Sequence, residues 1–332
     1  ISRVLLKCIS MIEKKSREYE IEDVFRTYGV LTREAGFYFY FSRKIRELRE
    51  CGHEGTARAY ASSLRSMQRY LGKKDFPFIK LSSRIISDYQ GKLLASGICD
   101  NTIGFYLHNI KALFRKGCRE MGLELPCPFR DISIKTEKTL KRSLDPVVIK
   151  TLSAIELEKD SPLSLARDIF MFSFYTRGMS FVDIALLKKR HVFPGEICYR
   201  RHKTDQLMRV GINKEISRIL ERYKNVPGEY IFPLFPAERD PYAGYRSAYH
   251  RIRYSLGKIS RVIGLEFPLR LHAARHSWAT IAKVNGASVH VIGECLGHTS
   301  EKTTRIYLKE LDHSALDAVN NQVADFILAV DD

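Results

Sequence analysis

Apolar residues in the first third of the chain recur at the 3.6-residue spacing of amphipathic helices. This spacing predicts helices over residues 55–72, 81–97 and 100–122. In the third of these, Gly122 follows the last turn, and the apolar stripe is formed by Ile103, Leu107, Ile110 and Phe114. The N-terminal half is therefore predicted to be helical.

The pattern changes between residues 126 and 147, where the chain is irregular, basic and bounded by prolines. Such a stretch is typical of a linker, and we place it at 133–143. Asp145 and Pro146 then suit the N-cap and first turn of a new helix. A break in the chain at this point predicts two domains.

The second half combines long apolar segments with one alternating stretch. Residues 161–187 are strongly apolar and predict helix, interrupted around Gly178. Residues 196–212 alternate apolar and polar positions, turn at 204–206, and so predict a β-hairpin. The predicted fold class is mainly α with a small β-hairpin or sheet, that is, an α+β second domain behind a helical first domain.

Charge indicates the class of partner. The 332 residues carry a net charge of +17, with 55 Lys and Arg against 38 Asp and Glu. Residues 1–150 hold 29 basic and 17 acidic side chains, whereas 310–332 hold six acidic and no basic ones. A basic body predicts a polyanionic partner such as DNA.

The sequence argues against a membrane protein, a secreted protein and a protein built on CxxC motifs. No run of eighteen apolar residues predicts a membrane span, and the N-terminus lacks the pattern of a secretion signal. The seven cysteines form no CxxC pair, which favours scattered thiols in a cytoplasmic protein. Because the chain begins at Ile1, we expect it to be a fragment or a processed form.

The stretch LHAARHSWAT (271–280) concentrates candidate chemistry. On a helix, His272 and Arg275 share a face, and His276 reaches the same side. A zinc site would need a glutamate beside the first histidine, but Ala273 stands there and a guanidinium would repel a cation. No metal is therefore expected, and a buried polar cluster or an anion site remains open.

Other segments shift the balance toward an anion site. Lys203 lies at the predicted hairpin tip, Arg177 lies in an apolar segment that demands an anionic partner, and the stretch LGHTSEKTTRIY supplies His298 and Tyr307. Arginine matches phosphate oxygens in bidentate fashion and stays charged at any working pH. The set suits a phosphodiester that is stabilised without a metal or other cofactor.

In their order, these segments resemble the tyrosine recombinase (phage integrase) family. The stretch HAARHSWAT is similar to its H-x-x-R motif, LGHTSEKTTRIY is similar to its LGH…Y motif, and FSFYTRGMSFVDIALLKK resembles integrases of Bacteroides-type mobile elements. The resemblance implies a two-domain DNA clamp. Its parts are an N-terminal extension or coupler (1–35), a helical SAM-like core DNA-binding domain (36–132), a catalytic domain (144–312) and a helical tail (313–332).

The resemblance also implies the roles of the residues. Tyr307 is the nucleophile that forms a 3′-phosphotyrosyl link, and Arg275 clamps the non-bridging oxygens. Lys203 protonates the leaving 5′ oxygen, His272 assists proton transfer at the tyrosine, and His298 donates to the phosphate. His276 has a supporting or packing role.

One position departs from the family pattern. The family's first arginine usually lies three residues before an acidic residue, and alignment on Asp183 puts Ser180 there. If the stretch is helical, Arg177 lies one turn earlier on the same face, so we expect Arg177 to replace the missing arginine. Asp183 then orients the site, and a purely structural Arg177 is the alternative.

The resemblance implies a site-specific recombinase of the bacterial cytoplasm that acts on double-stranded DNA as a homotetramer and is monomeric in solution. The basic residues expected to grip DNA are Lys111, Arg115, Lys116 and Arg119. A type IB topoisomerase-like relaxer and a non-catalytic DNA-binding relative remain alternatives. Apolar positions in 313–332 suit either packing on a neighbouring protomer or packing on its own domain.

Overall fold

The computed structural model describes residues 36–135, 137, 143–235, 241–298 and 300–308. The chain divides into two compact units, Ile1–Thr139 and Leu140–Asp332. Expectations for residues 1–35 and for the tail at 313–332 lie outside the described residues.

The described part of the first unit is helical. Its helices are α1 (Phe37–Glu50), α2 (Glu54–Leu71), α3 (Ser83–Ala95) and α4 (Asp100–Glu120), with a short 3-10 turn at Phe78–Lys80. The predictions of α2, α3 and α4 are confirmed: α2 lies one residue earlier than predicted, and α3 and α4 are slightly shorter. Helix α1 was not predicted from the sequence.

An aromatic cluster holds this first unit together. Phe37, Tyr40 and Phe41 of α1 are almost wholly buried; the rings of Phe37 and Tyr40 pack on Phe78, and that of Phe41 packs on Phe37. Gly117 of α4 permits the approach, because a Cβ there would lie 2.5 Å from the Phe78 ring. The aromatic face thus joins α1 to α4 through the 3-10 turn.

The second unit is built on one central helix. Its described elements before the sheet are α5 (Pro146–Ala154), α6 (Pro162–Tyr175) and α7 (Phe181–Ala185), and those after it are α8 (Lys214–Arg222), α9 (Pro241–Val262), α10 (Leu271–Val284), α11 (Val289–Leu296) and α12 (Glu301–Tyr307). Helix α6 contacts α5, α7, α8, α9 and α10. As predicted, Asp145 caps α5 by accepting from the Val147 N–H at 2.8 Å.

The predicted hairpin is part of a three-stranded antiparallel sheet. Strands β1 (Val192–Phe193), β2 (Glu196–Arg200) and β3 (Leu207–Gly211) pair in the order β1-β2-β3. Tyr199 pairs with Met208 and Arg200 pairs with Leu207. Both the mainly helical class and the small sheet are therefore confirmed.

The predicted interruption around Gly178 is confirmed, but its geometry corrects one expectation. Helix α6 ends at Tyr175, and Arg177 and Gly178 both adopt positive φ, +60° and +76°. Ser180 is the N-cap of the short helix α7 and not a helical residue. The argument that Arg177 and Ser180 share one helical face is therefore wrong, because a left-handed turn separates them.

Within the described residues, no helix is both long and apolar enough to cross a membrane.

A buried carboxylate ties α6 to α8. Asp168, 3% exposed, accepts from Arg167 Nε at 2.6 Å, from Arg222 Nη1 at 2.6 Å and from the Tyr223 hydroxyl at 2.9 Å. Burial and the neighbouring carboxylate raise the pKa of Tyr223 above its usual range, so its proton stays in the hydrogen bond.

We expect Asp168→Asn to lower the free energy of unfolding of this unit by about 2 kcal/mol, because an amide loses the charge-assisted bonds. Urea denaturation followed by fluorescence measures the change, since Trp278 of α10 is the chain's single tryptophan. Glu215→Gln, which breaks an exposed pair with Arg218, is the control and costs less than about 0.5 kcal/mol. Equal effects of the two substitutions would contradict the buried network.

Candidate active site

The site is organised around the buried guanidinium of Arg275. Arg275 lies in the second turn of α10 and is 5% exposed. Its Nη1 donates to the Gly178 carbonyl at 2.7 Å, and its Nη2 donates to the Leu296 carbonyl. A guanidinium is planar and keeps its charge, so these bonds fix both the position and the orientation of a permanent cation.

Gly178 has a direct steric role beside this cation. A Cβ at position 178 would lie 2.5 Å from Arg275 Cγ and 2.8 Å from its Cα. The positive φ of Gly178 also disfavours any other residue. The left-handed turn after α6 therefore lets the backbone carbonyl approach Arg275 closely.

His298 is hydrogen-bonded to this arginine. Its Nε2 lies 3.0 Å from Arg275 Nη2, and its Nδ1 lies 3.0 Å from Thr304 Oγ1. Burial first, and then the positive charges of Arg275, Arg201 and Lys203, lower the pKa of His298 to about 4. The ring is therefore neutral at pH 7.

The neutral ring has a defined tautomer. A guanidinium nitrogen only donates, so His298 Nε2 must accept from Arg275, and the ring hydrogen lies on Nδ1. Nδ1 then donates to Thr304 Oγ1. Thr304 is fully buried in α12, one turn before Tyr307, so this bond attaches the helix that carries Tyr307 to the Arg275 centre.

The approach of α11 to α12 depends on a second glycine. A Cβ at Gly293 of α11 would lie 2.8 Å from Thr304 Oγ1. The hydrogen at this position therefore leaves room for the threonine that holds His298. Sequence reasoning missed Thr304, which lies six residues after His298 at the end of the stretch HTSEKTT.

Asp183 connects the turn after α6 to the hairpin. This carboxylate, 5% exposed, accepts from Ser180 Oγ at 2.6 Å and from the His202 backbone N–H at 2.8 Å. His202 precedes Lys203 in the exposed turn between β2 and β3. Asp183 thus anchors the turn that carries Lys203, and Ser180 is occupied in supporting Asp183.

Tyr199 of β2 is a residue that sequence reasoning did not select. It is 7% exposed, and burial, together with the charge of Asp183, raises its pKa above the usual range. The positive charges of Arg201, Arg275 and Arg177 act in the opposite direction on the same hydroxyl. All three positive charges therefore act on the same buried hydroxyl, and Arg177 is one of the charged residues that influence the site.

The remaining candidate residues belong to α4, α10 and α12. His272 lies one turn before Arg275 on α10, is exposed, and its ring contacts that of His276 edge-to-face at a centroid distance of 4.8 Å. The backbone of α12 ends at Tyr307. Lys111, Arg115, Lys116 and Arg119 all belong to α4 of the first unit, and all but the half-buried Lys111 are exposed.

Family models match both units. The phage integrase family model matches residues 143–313, and the model of the phage integrase SAM-like domain matches residues 36–129. Among curated relatives, tyrosine recombinase XerC of Shewanella oneidensis is 26% identical over 226 residues, which cover 65% of this chain and 70% of XerC. Tyrosine recombinase XerD of Pseudomonas putida is 24% identical over 262 residues, 76% and 86% of the two chains.

Solved structures show the same fold. A lambda integrase dimer bound to a COC′ core site aligns with a TM-score of 0.62 at 17% identity, over 82% of this chain and 95% of that one. The Tn1549 transposon integrase in complex with transposon right end DNA aligns with a TM-score of 0.64 at 15% identity, over 87% and 99%. The specific resemblance to Bacteroides-type integrases stays a prediction.

The lowered pKa of His298 predicts a loss of stability in acid. An unfolded histidine takes up a proton near pH 6.5, whereas folded His298 does so only near pH 4. The unfolded state therefore binds protons first as the pH falls, and stability that is present above pH 6.5 is lost between pH 6.5 and 4. Because His298 is only half-buried, solvent screening reduces the effect to about 1 kcal/mol.

We expect His298→Gln to lose about 1 kcal/mol less than the unsubstituted chain when the pH falls from 7 to 4.5. Trp278 fluorescence in urea at both pH values gives the difference. His290→Gln, at an exposed histidine of α11, is the matched control. Parallel losses in all three proteins would contradict a neutral, half-buried His298.

Proposed function

Because this chain belongs to the phage integrase family, we propose that it is a site-specific DNA recombinase that cleaves and rejoins duplex DNA through Tyr307. The tyrosine forms a covalent bond to a 3′ phosphate, and a 5′ hydroxyl of the partner strand later displaces it. Each step exchanges one phosphodiester for another, so the reaction needs no ATP. Its setting would be the bacterial cytoplasm, where its DNA lies.

The single observation that carries the proposal is the preset cation at Arg275. Its guanidinium is buried and oriented by the carbonyls of Gly178 and Leu296 before any DNA is present. Fixed donors aimed at developing negative charge stabilise a pentavalent phosphorane without reorganisation. A phosphodiester is the substrate that matches such a donor.

The proton transfers are assigned to Tyr307, His272 and Lys203. Tyr307 loses its hydroxyl proton with the help of His272 and attacks phosphorus, while the bond from phosphorus to the 5′ oxygen breaks. Lys203 gives a proton to that departing oxygen, and the exposed hairpin turn allows the side chain to reach DNA. In rejoining, the same transfers run in reverse.

His298 adds a coupling between phosphate binding and protonation. With Nε2 accepting from Arg275, the neutral ring has no hydrogen on that nitrogen to donate. A phosphate anion beside the ring favours the imidazolium, because the negative charge stabilises the charged form. We therefore infer that substrate binding raises the pKa of His298 and provides the hydrogen that it donates to phosphate.

The family's missing first arginine has a candidate in Arg177, which contributes to the positive potential at Tyr199. Ser180, at the expected position, hydrogen-bonds Asp183 instead of a phosphate. We assign DNA backbone binding to four basic residues of α4, Lys111, Arg115, Lys116 and Arg119. Contacts of this kind to phosphates weaken steeply as the salt concentration rises. A homotetramer on DNA is the proposed assembly for strand exchange.

The proposal is tested by capturing covalent adducts from genomic DNA. The chain is incubated without ATP with duplex fragments from the organism that encodes it, and DNA that stays attached after denaturation is sequenced. We expect one or a few related sequences with the unsubstituted chain and none with Tyr307→Phe. Adducts that persist in Tyr307→Phe, or no adducts at all, would contradict it.

A plasmid with two copies of the recovered site separates recombination from relaxation. Rearranged plasmids are the expected product. Relaxed plasmids without rearrangement would instead support a topoisomerase-like relaxer.

The role of Lys203 predicts a chemical rescue. Lys203→Ala should slow cleavage of the recovered site by about 100-fold, because proton donation to the leaving oxygen is lost. A substrate with sulfur at the 5′ bridging position needs no such proton, since a thiol has a pKa of about 8.5. On that substrate we expect the variant to be within about 10-fold of the unsubstituted chain.

Thr204→Ala, at the next exposed residue of the turn, is the control and should cleave both substrates normally. An equal loss for Lys203→Ala on the oxygen and sulfur substrates would show that Lys203 does not protonate the leaving group. Covalent adducts on a denaturing gel measure all of these rates.

A further inference from the structure

The hairpin carries a second arginine, Arg201, on the face that packs against the rest of the unit. Alternation along β2 buries Ile197 and Tyr199 and leaves Arg200 on the outer face. The next inward position beyond the strand is Arg201, whose N–H donates to the Gln206 carbonyl at 2.9 Å. Side chains alternate at successive positions, so Arg201 and Arg200 point to opposite sides of the hairpin.

Contacts of Arg201 confirm that it faces the site. Its Nη1 donates to the carbonyl of Gly297, the residue immediately before His298. The hairpin packs closely on this turn, because a Cβ at Gly297 would lie 2.9 Å from Met208 Sδ and 3.3 Å from Gln206 Oε1. The positive φ of Gly297, +63°, aims its carbonyl at the hairpin and ends α11.

Electrostatics places the charge of Arg201 close to the phosphate-binding groups. The positive charges that lower the pKa of His298 are those of Arg275, Arg201 and Lys203. Those that act on Tyr199 are Arg201, Arg275 and Arg177, and Arg201 has the largest effect of the three. Arg201 is thus the cation, besides Arg275, that acts on both groups.

The turn after α6 is less well placed to supply this cation. Ser180 is occupied by Asp183, and Arg177 lies on a left-handed turn beside the Gly178 carbonyl that holds Arg275. The charge of Arg177 acts on Tyr199, whereas the charges that lower the pKa of His298 are those of Arg275, Arg201 and Lys203. Arg201 by contrast contacts the turn that bears His298 and lies two residues before Lys203.

We propose that Arg201 is a catalytic residue: the second guanidinium that, with Arg275, binds the non-bridging oxygens of the scissile phosphate. A guanidinium has five N–H donors, and the bond to Gly297 uses one of them. The hairpin then delivers two cations at once, Arg201 to a non-bridging oxygen and Lys203 to the leaving oxygen. This inference rests on the proposed function and replaces Arg177 in that role.

A neutral phosphate analogue tests the proposal. The probe is a nicked duplex that carries the captured site with either a normal phosphate or a methylphosphonate at the scissile position. A methylphosphonate lacks one non-bridging oxygen and its charge, so an arginine that neutralises that charge becomes dispensable. The rate of phosphotyrosyl adduct formation is compared with that of the unsubstituted chain on each substrate.

We expect Arg201→Ala to be about 100-fold slower on the phosphate substrate, the usual cost of removing one donor to a developing anion. On the methylphosphonate the loss should shrink to less than about 10-fold. Arg201→Lys, which keeps a positive charge, should lose about 10-fold on phosphate and regain full rate on methylphosphonate. Arg201→Lys also keeps a donor for the Gly297 carbonyl. It therefore tests the catalytic role of Arg201 even if the alanine variant folds poorly.

The matched control is Arg200→Ala. Arg200 is the neighbouring arginine, points outward, and pairs with Asp205. It should cleave both substrates within about 3-fold of normal, because an exposed pair contributes little. Trp278 fluorescence and binding of the site confirm that each variant is folded.

Three outcomes would overturn the proposal. Equal losses of Arg201→Ala on both substrates would mean that Arg201 only holds the hairpin on the Gly297 turn. Rescue of Arg177→Ala, and not of Arg201→Ala, would assign the second guanidinium to Arg177. No adduct from the unsubstituted chain would overturn the proposed function itself, whereas the first two outcomes leave that function intact.

Discussion

The second unit depends on one buried guanidinium placed between two backbone carbonyls. Arg275 donates to Gly178 and to Leu296, and so joins the turn after α6, the middle of α10 and the end of α11. A buried charge is costly unless it is hydrogen-bonded, and the backbone carbonyls meet part of that requirement. The same bonds leave the guanidinium oriented before substrate arrives.

From this centre the other functional groups are attached by short hydrogen bonds. His298 accepts from Arg275 and is connected through Thr304 to the helix that ends at Tyr307. Asp183 holds the hairpin through the His202 N–H, and Arg201 holds it through the Gly297 carbonyl. Three segments that are distant in sequence thus share one polar network, and moving any of them changes the position of the cations.

Much of this arrangement could be predicted because its elements have strong local signals. The H-x-x-R spacing required only a helix at α10, which the structure has, and the alternation of 196–212 required only a hairpin. The interruption around Gly178 was predicted, but the left-handed geometry of Arg177 and Gly178 was not, because the apolar residues on both sides fit a helix. Nothing local shows that Gly178 must be left-handed until Arg275 is packed against it.

Two other misses have different physical causes. Helix α1 begins with FYFYF, where aromatic residues at successive positions hide the 3.6-residue period, and its burial depends on Phe78, which is distant in sequence. The alternation of buried and exposed positions along β2 already predicts that Arg201 points inward. Its importance becomes visible only through Gly297, which lies 96 residues away.

The covalent step at Tyr307 is the central claim, and the chemistry of the attached nucleotide tests it most directly. Trypsin cuts after Arg305 and Lys309, so Tyr307 is released in the peptide IYLK. After nuclease trimming of the captured adduct, mass spectrometry should find this peptide linked through tyrosine to a nucleotide 3′ phosphate, with a free 5′ hydroxyl on the released DNA. Unmodified IYLK with the nucleotide on another peptide, or a 5′-phosphate linkage, would contradict the account.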